Sequence, residues 1–98
     1  MAAFYPTAKG AIAAYTRHLA VKHGGQPRAN AVAPGFTLTP RTIPYLESAE
    51  TRARVARIPS GRMGVPEDVA AVVLFLLSPA ASYVNGVLLP VDGGWVHS

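Results

Sequence analysis

Nine consecutive uncharged apolar residues, Val69-Ala70-Ala71-Val72-Val73-Leu74-Phe75-Leu76-Leu77, follow Pro66-Glu67-Asp68 and end at Ser78-Pro79. Pro66 suits a first helical turn, where its missing N–H would have no partner anyway. Glu67 and Asp68 complement the positive start of a helix. The pattern predicts a helix over 66–77 that is apolar on every face and therefore buried all round. The run is far shorter than the roughly 20 residues that cross a bilayer. Its cover must be protein, and no membrane is expected.

The rest of the chain offers little to cover it. A first helix is predicted over 5–23, with Pro6 in its first turn, Lys22 and His23 in its last, and Gly24-Gly25 as the stop. Ile12, Tyr15, Leu19 and Val21 give it apolar mass, and its alanines leave room for close helix contact. Residues 28–33, ended by Pro34-Gly35, read as a strand. Residues 36–46 are rich in Thr and Pro and read as a loop. Residues 47–57 read as a polar surface helix or lid. Asn85-Gly86 turns into a non-alternating strand over 87–91, which suits a sheet covered on both faces. Pro90 cannot donate to a ladder, so that strand belongs on a sheet edge or ends there.

Helices alternating with non-alternating strands define an α/β layer with a parallel sheet. Three helices on two short strands make an unbalanced domain. Length alone would allow the 98 residues to be one domain. The pattern instead predicts a single partial domain over 1–98, the end of a longer α/β unit. With 50% hydrophobic and 14% charged residues the chain is no disordered segment. It has no Cys, which excludes disulfides and thiolate metal sites. No basic-then-apolar leader pattern stands ahead of the first helix, so a cytoplasmic location is expected.

The net charge of +4 comes with a cluster of Arg52, Arg54, Arg57 and Arg62. A nucleic-acid surface would pair such charge with exposed aromatics or a motif. Tyr45 is the one aromatic nearby, so a solvated helix face is the reading adopted and no nucleic-acid partner is expected. His18, His23 and His97 show no metal-ligand spacing with carboxylates. Asp92 reads as the organiser of a turn at Gly93-Gly94. Tyr15, Phe75 and Trp95 read as core or interface aromatics. Tyr83 and Asn85 read equally as structural or subunit-contact residues.

Tyr5 and Lys9 stand four apart, one turn from each other on one helix face. A tyrosine, with an ordinary pKa of about 10, is a poor acid–base group at neutral pH. An ammonium one turn away favours the phenolate and makes the pair a workable proton donor to a carbonyl becoming an alcohol.

Four pieces then stand in register. They are Tyr5-Pro6-Thr7-Ala8-Lys9, Asn30-Ala31-Val32-Ala33-Pro34-Gly35, Gly61-Arg62-Met63-Gly64-Val65-Pro66-Glu67-Asp68-Val69-Ala70, and Val91-Asp92-Gly93-Gly94. Their order and spacing resemble the C-terminal part of short-chain dehydrogenases/reductases. The resemblance implies a Rossmann-like, doubly wound parallel sheet, of which this chain would hold the portion helix, strand, lid helix, helix, strand. It implies hydride transfer between NAD or NADP and a small alcohol/carbonyl substrate. Tyr5 would exchange the proton with the substrate oxygen, and Lys9 would lower the tyrosine pKa and hold the nicotinamide ribose. Pro34, Gly35, Thr37 and Thr39 would meet the nicotinamide side, carboxamide and pyrophosphate. Residues 38–58 would form the substrate lid, and the last helix and strand would build a homo-oligomer.

Some positions depart from the family pattern. Ala8 stands where Ser is usual, and Pro27 and Ala29 replace branched strand residues. The family's glycine-rich phosphate loop, Asn-Ala-Gly segment and catalytic serine precede the tyrosine, whereas Tyr5 is the fifth residue here. None of Ser48, Ser60, Ser78, Ser82 and Ser98 matches that serine. A catalytically silent fragment, acting at most as an oligomerisation module, is therefore the alternative expectation.

Overall fold

A computed structural model describes the backbone of residues 4–95 and the side chains of residues 7–95. Its elements are α1 (Phe4–His23), β1 (Ala31–Pro34), a 3-10 turn (Ile43–Tyr45), α2 (Ala49–Ala56), α3 (Pro66–Leu77), a second 3-10 turn (Pro79–Ala81) and β2 (Leu88–Val91). The order is the one the sequence implies. Ala31 N–H donates to Val87 O at 2.8 Å and Gly35 N–H to Val91 O at 2.9 Å. Both partners advance by the same step, so the two-stranded sheet is parallel. Contacts group the chain into two units. One holds the described residues up to Ala31 with Phe75–Leu89, and the other holds Val32–Leu74 with the described residues from Pro90.

In the first unit α1 stops where Gly24 (φ 61°) and Gly25 (φ 89°) take left-handed backbone that other residues resist. Thr16, 7% exposed, turns its Oγ1 back to Ile12 O at 2.7 Å. Ala20 is buried, and a Cβ on Gly86 would come within 3.1 Å of the Ala20 Cβ. A network of polar side chains then replaces part of the ladder. Asn85 Oδ1 accepts from Ala29 N–H at 2.9 Å, while its Nδ2 donates to Ala20 O at 3.3 Å, in the last turn of α1. Asn30 Oδ1 accepts from Val87 N–H at 3.0 Å, and its Nδ2 donates to Val84 O at 2.9 Å. Arg28 reaches Val84 O and Ser78 O, the latter just past the end of α3. These bonds explain why the first strand starts at Ala31 rather than at 28, and the second at Leu88 rather than 87. The N–H groups of Ala29 and Val87 are satisfied by amide side chains in place of ladder carbonyls. Asn85 is thereby a structural residue.

In the second unit Ile58 is the buried anchor, 4% exposed. The 92–95 turn closes on it. Asp92 Oδ1 accepts from Gly94 N–H at 3.0 Å, as a turn organiser should, and Ser60 N–H donates to Gly93 O at 3.0 Å. The polar helix is shorter than the 47–57 expectation. Ser48 caps α2 by accepting from Thr51 N–H at 3.1 Å, which fixes its start after Glu47. The loop before it carries the Ile43–Tyr45 turn, set by Thr42, whose Oγ1 accepts from Thr39 N–H at 2.8 Å.

The expectation that α3 is buried all round is not met within this chain. Leu76 is buried, but Leu74 is 70% and Leu77 76% exposed. The reason is area: a four-residue strand beside another cannot cover a whole helix circumference. Tyr15 and Phe75 are likewise exposed and do not serve as core aromatics of this chain.

Candidate active site

Tyr5 and Lys9 lie in the uninterrupted helix α1, so helical geometry sets them one turn apart on one face. The Tyr5 side chain is outside the described residues, as are His97 and Ser98. Lys9 is half-buried.

Pro34, Gly35, Thr37 and Thr39 occupy one short stretch of the second unit at the carboxyl end of β1, where open α/β sheets hold ligands. Pro34 is exposed. At Gly35 a Cβ would lie 2.5 Å from the Asp92 Cβ and 2.7 Å from its Cα. The glycine is thus required by the chain's own packing, a cause that sequence spacing did not reveal. Thr37 Oγ1 donates to Gly35 O at 2.9 Å, tying the turn. An isolated parallel bridge then fixes the segment: Gly64 N–H donates to Phe36 O at 3.0 Å and Leu38 N–H to Gly64 O at 2.8 Å. Thr39 Oγ1 lies 3.5 Å from Thr42 Oγ1.

The Gly61–Ala70 motif works as a helix start. Asp68 accepts from Val65 N–H at 2.8 Å, closing the first turn of α3 from within. Arg62 donates to both Asp68 oxygens, at 2.8 and 3.2 Å. The Arg62 guanidinium, and after it the Val65 N–H, hold the Asp68 carboxyl down at about 2. The bond to Asp68 also raises Arg62.

The arginine cluster is engaged internally. Arg52 pairs with Glu47, Arg62 with Asp68, Arg54 stacks over Phe36 at 4.3 Å and Arg57 over Trp95 at 5.2 Å. Two hollows flank α2. One, of about 630 Å³, has Leu38, Leu46, Val55, Met63 and Val65 among its lining, together with charged residues such as Glu47 and Arg62. The other, of about 480 Å³, is bounded by Phe36, Tyr45 and, on α2, Glu50, Thr51 and Arg54. The arginine–ring contacts and the reach of Arg28 are features that no motif signalled, and Asn30 and Asn85, though they stand in pieces the sequence singled out, were not expected to bond across to each other's strand. Among the described residues no group of three or more His, Cys, Asp or Glu could hold a metal ion, and no helix is long and apolar enough to cross a membrane.

A family model described as enoyl-(acyl carrier protein) reductase matches residues 1–96. The chain belongs to the short-chain dehydrogenase/reductase family. It is 45% identical over 96 residues to galactitol 2-dehydrogenase (L-tagatose-forming) of Cereibacter sphaeroides, an alignment covering 96% of this chain and 38% of that protein. It is 42% identical over 97 residues to cyclohexanol dehydrogenase of a Rhodococcus strain, covering 98% of this chain and 36% of that one. The crystal structure of a candidate 2-deoxy-D-gluconate 3-dehydrogenase from Agrobacterium tumefaciens, with bound NADP, superposes with a TM-score of 0.86 at 41% identity. That match covers 96% of this chain and 39% of the other. The chain thus spans little more than a third of the length of the relatives it matches, and its fold is the corresponding portion of a Rossmann-like domain.

Proposed function

We propose that this chain serves an NAD(P)-dependent oxidoreductase that interconverts a small alcohol and its carbonyl. The observation that carries the reading is family membership combined with a tyrosine and a lysine one turn apart on α1.

Thr37 and Thr39 fit the cofactor by chemistry. The Thr37 hydroxyl spends its proton on Gly35 O but keeps its lone pairs, and the Thr37 N–H has no partner among the described residues. A carboxamide needs one acceptor and one donor, and this residue offers both. Pro34 and Gly35 hold the backbone of that turn, and Thr39 supplies a hydroxyl for the phosphate side. When bound, the nicotinamide supplies or takes the hydride. The chain's own residues handle the proton. In reduction Tyr5 donates its phenolic proton to the substrate oxygen as that oxygen gains charge. Lys9 stabilises the phenolate left behind and offers its ammonium to the ribose. Residues 38–58 enclose the substrate as a lid.

A Tyr5→Phe change keeps the ring and removes the proton. It should cut kcat for alcohol oxidation by 10²-fold or more while leaving dinucleotide affinity within about threefold. Unchanged turnover in steady-state assays would remove Tyr5 from its role. Which dinucleotide is used, and which alcohol, is read by the same assay run with NAD and NADP.

A second reading, association without catalysis, draws on the exposed face of α3, where Leu74 and Leu77 are largely uncovered. On that reading the chain binds no dinucleotide and pairs with copies of itself. Micromolar NADH or NADPH binding in a calorimeter would exclude it.

A further inference from the structure

The 480 Å³ hollow beside α2 is walled by Phe36, Thr42, Tyr45, Ser48, Glu50 and Arg54. Its size falls within the range of small-ligand sites. Phe36 directly follows Gly35, so the hollow adjoins the turn to which the oxidoreductase reading assigns the nicotinamide side.

Arg54 is held there in an informative way. Its guanidinium carbon sits 4.3 Å from the centroid of the Phe36 ring. Glu50 stands four residues earlier on α2, the spacing at which a helix forms ion pairs. Yet the ion pairs among the described residues are Arg52 with Glu47 and Arg62 with Asp68. A contact with a ring face uses no hydrogen-bond acceptor, so the guanidinium N–H groups keep their capacity to bind a carboxylate. The ring contact restrains the side chain, which lowers the ordering cost of a two-pronged bond to a carboxylate. The other groups divide the remaining roles. Ser48 is committed to Thr51 N–H and Thr51 Oγ1. Glu50 can accept only, so it favours a ligand hydroxyl and repels a second carboxylate.

We infer that this hollow selects a small hydroxy acid, with the stacked Arg54 guanidinium recognising its carboxylate. Arg54 is then the residue that separates acids from neutral alcohols of the same skeleton. The inference rests on the oxidoreductase reading for what happens to the ligand afterwards, but not for binding itself.

The test uses the full chain labelled with ¹⁵N and two probes, 3-hydroxybutyrate and neutral 1,3-butanediol. The acid should shift the amides of Phe36, Tyr45 and residues 50–54, with an affinity about tenfold or more above that of the diol. Arg54→Gln should abolish this preference, and Arg54→Lys should keep part of it, since the charge remains without the planar fork. Comparable affinity for acid and diol would overturn the inference, as would an Arg54→Gln chain that still prefers the acid. Should Arg54→Gln lose its dispersed spectrum, an Arg54→Lys chain with undiminished preference would overturn it equally. Turnover with NAD and NADP on the same samples separates the two claims. Selective acid binding without turnover supports the inference and counts against the oxidoreductase reading. Oxidation of the diol as efficiently as the acid does the reverse.

Discussion

Gly35 shows how one residue carries two explanations. The resemblance gives it a role at the cofactor, and the backbone gives it another, because Asp92 leaves no room for a Cβ. Gly35→Ala should destabilise the fold by about 1–3 kcal/mol through overpacking, even with no dinucleotide present. A thermal melt of the variant equal to that of the parent would mean that the Asp92 contact relaxes at no cost. Asp68 gives a residue-scale prediction in pH. Its carboxyl titrates at about 2 when folded, against an ordinary 3.8. A lowered folded value means stabilisation that is complete above about pH 4 and disappears as pH falls toward 2. Asp68→Asn should therefore melt below the parent at pH 6, and the gap should close on acidification. High salt should narrow the gap too, since Arg62 is well exposed.

At the level of elements, helices were legible and strands were less so. Pro66-Glu67-Asp68 at one end and Ser78-Pro79 at the other bound α3 to the residue. Both are local signals, written in backbone chemistry. Residues 28–30 misled for the opposite reason. Their strand-like pattern is real, but the N–H groups of Ala29 and Val87 donate to the amide side chains of Asn85 and Asn30. Those bonds join positions more than fifty residues apart, and no local pattern announces them. The same limit hid Arg54 over Phe36 and Arg57 over Trp95. The pair of catalytic candidates was visible as spacing alone, whereas the packing of Gly35 on Asp92 was not. The short α2 offers an element-scale prediction. Ser48 is its cap, with no acidic residue three positions on to complete a capping box. Ser48→Ala should cost about 1 kcal/mol and raise amide exchange across 49–56. Protection unchanged there would assign the helix's stability to its contacts instead.

For the whole molecule the governing quantity is apolar area left without cover. The last nine residues of α3 are all apolar, yet Leu74 and Leu77 remain 70% and 76% exposed. They stand three apart and share a helix face. Uncovered leucines forgo about 25 cal/mol for each Å² that a partner could hide. That gain would reward any apolar surface laid on the face, and a second copy of the chain is the cover that substitution can test. Neither side chain is buried in the chain itself, so replacing both by Lys removes apolar surface without opening a cavity. The Leu74→Lys, Leu77→Lys double variant should keep the helical content of the parent by circular dichroism. Its mass by light scattering should fall from that of an oligomer to that of a single 10.3 kDa chain. Equal masses for parent and variant would show that this face does not drive self-association. A variant that instead loses its helical signal would show that α3 depends on these two leucines for folding, whatever covers them.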